Sequence, residues 1–226
     1  MHITLHKLSF KLLTSFGALA LMIVAPAISR ATVVYSNFGA GSSSNIDGNE
    51  VGNDTIGDNL AAGDTFTPGA NYTLTGIQIA LSCWGSCANN YTVEIVADSG
   101  GLPDTSTVLF SAVELGTALG LPSTSSLISI PTSISVLSGV AYWLVVLPDA
   151  AGADEIQWNW NTQSDASNQA SAFAGGGPAD TWYTLGQTPG AYEIDGTSSV
   201  ATPEPGTIGM MLGGGLLLGF LRKVRR

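Results

Sequence analysis

The sequence predicts an all-β fold: an antiparallel β-sandwich, jelly-roll-like, flanked by an N-terminal signal helix and a C-terminal transmembrane helix. Short segments rich in aromatic and β-branched residues recur about every 8–15 residues, as the strands of sandwiches and barrels do. Glycine, asparagine, aspartate, serine and proline separate these segments and are typical of turns. Between the two hydrophobic ends, no long stretch of sequence follows the helical period of about 3.6 residues.

Residues 1–31 have the pattern of a secretory signal peptide. Two lysines precede an apolar run of fourteen residues, Leu12–Ala25, and small residues follow it. A basic start, a short apolar middle and a small-residue exit define such a signal. Cleavage after Ala27 or after Ala31 fits this pattern, and we prefer Ala31. The alternative, a retained anchor helix, is disfavoured because the run is shorter than the ~20 residues that span a membrane.

Residues 32–196 form the predicted β-sandwich domain. The alternating pattern of YTVEIVAD predicts a strand with one buried face, whereas the nearly all-apolar VAYWLVVLP predicts a strand buried on both faces. The polar, acidic segment NIDGNEVGNDTIGDNLAAGD is interpreted as a connection between strands. The predicted strands, in chain order, are TVVYSNF, TFTP, YTLTGIQIAL, YTVEIVAD, TVLFSAVEL, SSLISIP, ISVLSG, VAYWLVVLP, EIQWNWN, DTWYTL and AYEIDG.

Charge is distributed very unevenly along the chain. The seven Lys and Arg and the two His lie near the two ends, and no Lys, Arg or His occurs from Ala31 to Leu221. The domain therefore cannot neutralise phosphates, which excludes nucleic-acid binding. Ser-His-Asp, Cys-His and Schiff-base chemistry lack their bases, and imidazole zinc sites lack their ligands. The sequence predicts no catalytic residue, no enzyme activity and no organic cofactor.

Two cysteines, Cys83 and Cys87, lie in LSCWGSCANN with three residues between them. A straight strand would hold their Cα atoms ~13 Å apart, beyond the reach of a disulfide. Gly85 and Ser86 favour a tight turn instead, and an exported chain retains disulfides. We predict a local disulfide in a hairpin loop. Two free thiols are the alternative, and a redox-active pair is disfavoured because no cation is present to stabilise a thiolate.

The acidic connection is a candidate calcium site. Oxygen-rich loops punctuated by glycine can wrap Ca²⁺, but the spacing here does not match that of an EF-hand. A solvated loop is the preferred interpretation, and the chain has no firm metal site. The candidate ligands are Asp47, Glu50, Asp54 and Asp58.

Trp158 and Trp160 are two residues apart, so in a strand they share one face. If exposed, this pair would form a platform on which sugar rings stack, with Trp182 and Tyr183 as companions. If buried, the pair belongs to the core, which is the preferred interpretation because each aromatic side chain hides ~150–250 Å². The sequence thus keeps a carbohydrate-binding module open as an alternative function.

A secreted glycosidase is the least favoured alternative. Paired carboxylates can hydrolyse glycosides without His or Lys. Asp154 and Glu155 are adjacent, however, so in a strand they would point to opposite faces, and no pattern in the sequence places two acids across a cleft.

The C-terminal end has three parts. Residues 197–205 form a linker that contains Pro203, Glu204 and Pro205, and residues 206–221 are free of charge. As a helix, this apolar stretch is ~24 Å long, slightly less than the ~30 Å hydrocarbon core. The tail, residues 222–226, would stop transfer and stay in the cytoplasm by the positive-inside rule. Its basic residues are Arg222, Lys223, Arg225 and Arg226.

This arrangement resembles the PEP-CTERM sorting signal of Gram-negative bacteria. The resemblance covers the Pro-Glu-Pro triplet, the apolar helix and the basic tail, in that order and at the chain end. It implies that the chain is a substrate of exosortase, which cuts near the motif and releases the protein to the cell surface or the exopolysaccharide matrix. The inner-membrane anchor would then be transient. A permanent single-pass anchor is the alternative.

The body of the chain is similar to a second family, the choice-of-anchor R type domains found ahead of such tails. This resemblance implies a β fold and transfers no catalytic residue. With the two terminal signals, it leads us to expect an exported surface or matrix protein with a structural or adhesive role near exopolysaccharide. The segments that carry it are VVYSNF, AAGDTFTPGANYTLTGIQIAL, YTVEIVADSGGLPDTSTVL, LSGVAYWLVVL and IQWNWN.

Overall fold

The computed structural model confirms an all-β, antiparallel fold in the part of the chain that it describes. The strands of this fold lie within one compact unit, Ala31–Ser199. No helix within the described part is both long and apolar enough to cross a membrane. Residues 1–30 of the predicted signal peptide, linker residues 199–205, the transmembrane helix and the basic tail lie outside the described residues. Thr197 and Ser198, which the sequence analysis assigned to the linker, belong instead to the last strand because they pair with Thr73 and Tyr72. The structure describes residues 31–53, 59–84, 87–121, 124–149, 155–163, 169–173 and 181–198.

The described residues form thirteen strands and one short 3-10 turn, Gly116–Ala118. The strands are β1 (Thr32–Ser36), β2 (Ser44–Asn53), β3 (Asn59–Phe66), β4 (Tyr72–Trp84), β5 (Asn90–Asp98), β6 (Pro103–Leu115), β7 (Ser126–Pro131), β8 (Ser135–Val136), β9 (Tyr142–Pro148), β10 (Glu155–Asn161), β11 (Gln169–Phe173), β12 (Trp182–Leu185) and β13 (Tyr192–Ser198).

Hydrogen bonds link the strands in the order β1-β13-β4-β10-β2-β3-β9-β5-β6. Strand β4 also pairs with β7 and β8, while β11 pairs with β3 and β12. Every pairing is antiparallel. The jelly-roll prediction required two separate sheets, whereas the described strands form one sheet that curls around its core. The two parts of this sheet are joined by the short β2–β3 pairing, in which Gly52 pairs with Leu60 and Asn53 pairs with Asn59.

The acidic segment predicted as a connection instead contributes most of β2 and the start of β3. The prediction of a connection between strands is therefore wrong here. Along β2, buried Asn49 and Val51 alternate with the exposed Glu50, and β10 supplies a partner for each of these residues. Tertiary pairing therefore outweighs the polar composition that suggested a loop.

One main core fills the space between the two parts of the curled sheet. Strand β4 contributes Leu74, Ile77, Ile79 and Leu81, and β5 and β9 contribute aliphatic residues from the other part. Strand β9 is buried on both faces, as VAYWLVVLP predicts: Leu144 packs into the main core, while Trp143 packs into a second cluster with Val96 and Trp182. Burial on both faces explains why this strand carries no polar residue.

Aromatic rings join β13 to its neighbours inside the core. The ring of Tyr192 stacks on Tyr35 at 4.9 Å and meets the edge of Trp158 at 5.7 Å between centroids. The Tyr192 hydroxyl donates a hydrogen bond to the carbonyl oxygen of Thr65 at 2.8 Å. This single side chain therefore connects β1, β3, β10 and β13.

Gly190 lies two residues before Tyr192 and against the indole ring of Trp158. A Cβ added at Gly190 would overlap the ring atoms Nε1, Cδ1 and Cδ2. We expect Gly190→Ala to lower the free energy of unfolding by about 1–3 kcal/mol, because the buried ring cannot move aside. The matched control is Gly186→Ala, since no atom lies within 4 Å of a Cβ at that position. Urea denaturation measures both variants, and equal stability of the two would contradict this packing.

Candidate functional site

The sorting motif and the basic tail cannot be placed. Pro203, Glu204 and Pro205 lie outside the described residues, as do the tail residues Arg222, Lys223, Arg225 and Arg226. The PEP-CTERM interpretation therefore stays a prediction from the sequence.

The predicted disulfide is present. The Cys83 and Cys87 sulfurs are bonded, with their Cα atoms 5.8 Å apart, so the free-thiol alternative does not hold. Both side chains are buried. The amide N–H of Cys83 donates to the carbonyl oxygen of Gly120 at 2.8 Å, and that of Gly116 donates to Asn89 at 3.2 Å. The disulfide thus fastens the end of β4 to the segment that leads into β5 and packs against residues 116–120.

The calcium candidates do not form a site in the part of the chain that is described. Asp47 and Glu50 lie on β2 with exposed side chains, and Asp54 and Asp58 fall outside the described residues. Among the residues described, no group of three or more His, Cys, Asp or Glu could hold a metal ion.

Trp158 and Trp160 do not form a shared stacking platform. Trp158 is fully buried, and its indole N–H donates to the carbonyl oxygen of Ala191 at 3.2 Å. Trp160 is partly exposed, and its N–H donates to Asn49 Oδ1 at 2.9 Å. Its suggested companion Trp182 is buried in the second cluster. The core interpretation is therefore correct for Trp158, and the glycan platform built on this pair is corrected.

Buried asparagines hold the segment 188–192 beside β10. Asn37 donates from Nδ2 to the carbonyl oxygen of Gly190 and accepts from the Tyr192 N–H, both at 2.8 Å. Asn161 Nδ2 donates to the carbonyl oxygen of Pro189 at 3.0 Å. Asp64 accepts from the Gly190 N–H at 2.7 Å. These contacts satisfy an irregular backbone segment inside the protein and fix the position of β10.

The outer face of β10 carries a different set of polar groups. Gln157 pairs directly with Ser82 of β4 on one side and with Glu50 of β2 on the other. Trp84 follows Ser82 by two residues and therefore lies on the same face. Trp84 is 47% exposed. We call the surface formed by Trp84, Ser82, Gln157 and Glu50 the indole–amide face.

Sequence reasoning missed this face. Trp84 could have been noticed because it lies between the two cysteines, but composition gives no reason to choose it over four other tryptophans. The register that brings Gln157 and Glu50 beside it joins three strands from distant parts of the chain, and short-range patterns contain no information on such a register.

One pair of ionisable groups has perturbed pKa values. Tyr91 lies directly opposite Glu114 on the neighbouring edge strand β6. Burial, and then the Glu114 carboxylate, raise the pKa of Tyr91. Burial also raises the pKa of Glu114. In contrast, hydrogen bonds from Ser106 and Thr107 lower the pKa of the exposed Asp104.

Fold and sites together define an all-β, disulfide-bonded domain whose interior contains hydrogen-bonded amides and the buried carboxyl group of Asp64, with other carboxylates on its surface. No family model and no curated protein matches the sequence. One similar solved structure is the clostridial cysteine protease Cwp84 after propeptide cleavage, with 15% identity and a TM-score of 0.49, covering 77% of this chain and 42% of that one.

A second similar structure contains the cysteine protease and lectin-like domains of Cwp84, a surface layer associated protein of Clostridium difficile. Its identity is 16% and its TM-score is 0.43, covering 68% of this chain and 36% of that one. The chain thus spans less than half the length of either structure.

Removal of the disulfide should destabilise the domain moderately. It closes a loop of about five residues, for which loop-closure entropy gives about 2 kcal/mol. We expect the Cys83→Ser/Cys87→Ser variant to lose about this much in urea denaturation. A reductant should lower the midpoint of the wild type and leave that of the variant unchanged. A wild-type midpoint that does not respond to the reductant would contradict this assignment.

Replacement of Glu114 should produce a pH-dependent stabilisation. Because burial raises the pKa of Glu114, the folded state binds this proton more tightly than the unfolded state, and stability falls as the pH rises through the folded pKa. Glu114→Gln removes that loss. We expect the variant to be more stable than the wild type at pH 7, with the difference vanishing at about pH 3, where the carboxyl group is protonated in both states. A difference that is equal at both pH values would contradict a desolvated carboxylate.

Proposed function

We propose that this chain is an exported, non-catalytic protein of the cell surface or extracellular matrix, with a structural or adhesive role near exopolysaccharide. Its precursor is anchored in the inner membrane through the apolar stretch 206–221 and is processed by an exosortase-type enzyme. The observation that carries the proposal is the confinement of every Lys, Arg and His to the two ends of the chain. The signal at each end supplies a route out of the cytoplasm, and the tail supplies a stop.

The disulfide supports an extracytoplasmic location. Structural disulfides form and persist in oxidising compartments, whereas cytosolic thiols are kept reduced. Cys83 and Cys87 are bonded and buried at the end of a central strand, so the bond is part of the folded domain. This location agrees with the route that the terminal signals predict.

The roles of the described carboxylates support a non-catalytic domain. Asp64 is fully buried, and it accepts a hydrogen bond from the Gly190 backbone. Asp98 accepts from the Trp143 indole and from the Gly101 N–H. These contacts of both acids are hydrogen bonds that hold the fold, a structural role that differs from the paired acids of glycoside hydrolysis. Asp154, considered for that chemistry, lies outside the described residues.

The intact mass of the extracellular form tests the sorting route. We expect a species that begins after Ala31 and lacks the tail residues 222–226, and that appears only when the processing enzyme is present. Replacing Pro203, Glu204 and Pro205 with alanine should retain the protein in the membrane fraction with its tail. Ser199→Ala/Thr202→Ala in the same linker is the matched control and should be processed normally.

Two results would refute this proposal. One is a full-length chain found only in the cytoplasm. The other is an extracellular species that still carries its arginine-containing tail, which would favour a route independent of C-terminal processing.

A further inference from the structure

We propose that the indole–amide face binds a neutral polysaccharide, with the exposed ring of Trp84 stacking on a sugar and the side chains of Gln157 and Glu50 hydrogen-bonding its hydroxyls. This inference rests on the proposed function, because it names the ligand class that a matrix protein would hold. It replaces the platform built on Trp158 and Trp160, which burial of Trp158 removes.

Strand register shows that these side chains share one face. In β4 and β10, Ser82 pairs with Gln157 and Trp84 pairs with Glu155. On the other side of β10, Gln157 pairs with Glu50. Directly paired residues point to the same side of a sheet. Neighbouring strands are ~4.8 Å apart, so the row of hydroxyl, amide and carboxylate spans about 10 Å across three strands.

The same register shows that this face points away from the core. The residues that alternate with them, Leu81, Cys83, Ile156 and Trp158, all belong to the main core. Because successive side chains of a strand point to opposite faces, the indole–amide face is directed outward. Trp84 and Glu50, at the two ends of this face, are exposed, whereas Ser82 and Gln157 between them are buried.

Gln157 gives an independent sign of a ligand. Its side chain is only 8% exposed, and its Oε1 has no hydrogen-bond partner within the described part of the protein. A buried polar atom left in this state destabilises the protein, because the water that it loses on burial is not replaced. The terminal torsion of a glutamine side chain is soft, so the amide can turn its oxygen toward a ligand hydroxyl and recover that loss.

The polar groups beside Gln157 on this side of the sheet are fixed before any ligand arrives. Ser82 is fully buried, and its Oγ accepts from Asn159 Nδ2 at 3.1 Å. Asn159 also donates to the carbonyl oxygen of Ile46 and accepts from the Ser125 hydroxyl. A floor held by such a network loses little conformational freedom on binding, which favours affinity.

The chemistry of the face selects a sugar without charge. An indole ring offers an apolar surface for the C–H face of a pyranose ring, while an amide and a carboxylate match the hydroxyls at its rim. The domain carries no Lys, Arg or His to attract an anion, and Glu50 would repel a uronate or a sulfate. Polyanionic polymers are therefore excluded, and neutral glucans fit.

Affinity electrophoresis of the full chain in mild detergent tests the proposal, with hydroxyethylcellulose, laminarin or dextran in the gel and alginate as the anionic comparison. We expect retardation by at least one neutral polymer and none by alginate. Trp84→Ala should weaken binding about tenfold or more, Gln157→Ala several-fold, and Trp84→Phe less than Trp84→Ala. Val113→Ala is the matched control and should bind like the wild type, because Val113 is exposed on the edge strand β6, five strands from β10 in the sheet order.

Three results would overturn the proposal: no retardation by any neutral polymer, equal retardation of the wild type and Trp84→Ala, or retardation by alginate alone. Far-UV circular dichroism and the urea midpoint establish that each variant is folded. Because this assay uses purified protein, it is independent of the route. Binding by a chain that is never exported would refute the proposed sorting only, whereas correct sorting without binding would refute this face only.

Discussion

The absence of any cationic side chain from Ala31 to Leu221 is the constraint on which the rest of this structure depends. No carboxylate in that range can form a salt bridge within it, so neutral donors must serve instead. Asp98 accepts from the Trp143 indole at 2.8 Å, Glu94 from the Ser111 hydroxyl at 2.9 Å, and Asp149 from the Thr92 hydroxyl at 2.9 Å. Contacts to charged acceptors are stronger than neutral ones, and these three tie neighbouring strands together.

The interior follows the same rule. Where a protein with both signs of charge could bury an ion pair, this domain buries amides and the carboxyl group of Asp64, which accepts from the Gly190 N–H. Asn37 and Asn161 hold the backbone of residues 188–192 against the sheet, and that segment places Gly190 on the Trp158 ring. A network of this kind fixes strand positions without a buried ion pair. The position of β10 in turn places Gln157 between Ser82 and Glu50. The hydrogen bonds inside the protein therefore also set the geometry of the outer face.

Local patterns in the sequence were sufficient for the strand-rich class, for the doubly buried β9 and for the Cys83–Cys87 bond, because each depends on residues close together in the chain. They failed for β2, whose polar residues pair with a distant strand, and for the single curled sheet, which depends on the β2–β3 link. Local patterns also could not show that Trp158 is buried while Trp160 is partly exposed. The reason is a register shift between Asn159 and Asn161 in the pairing of β10 with β2. The indole–amide face lay beyond prediction for the same reason: its members meet only through long-range pairing.

The salt dependence of stability tests the electrostatic constraint most directly. If acidic side chains repel one another across the surface and no ion pair offsets them, sodium chloride should raise the free energy of unfolding steadily between low and moderate ionic strength, because screening weakens the repulsion. Urea denaturation of the exported form at a series of sodium chloride concentrations measures this. The account predicts a midpoint that increases with salt, and a midpoint that decreases would show that attractive charge pairs stabilise the domain and would contradict it.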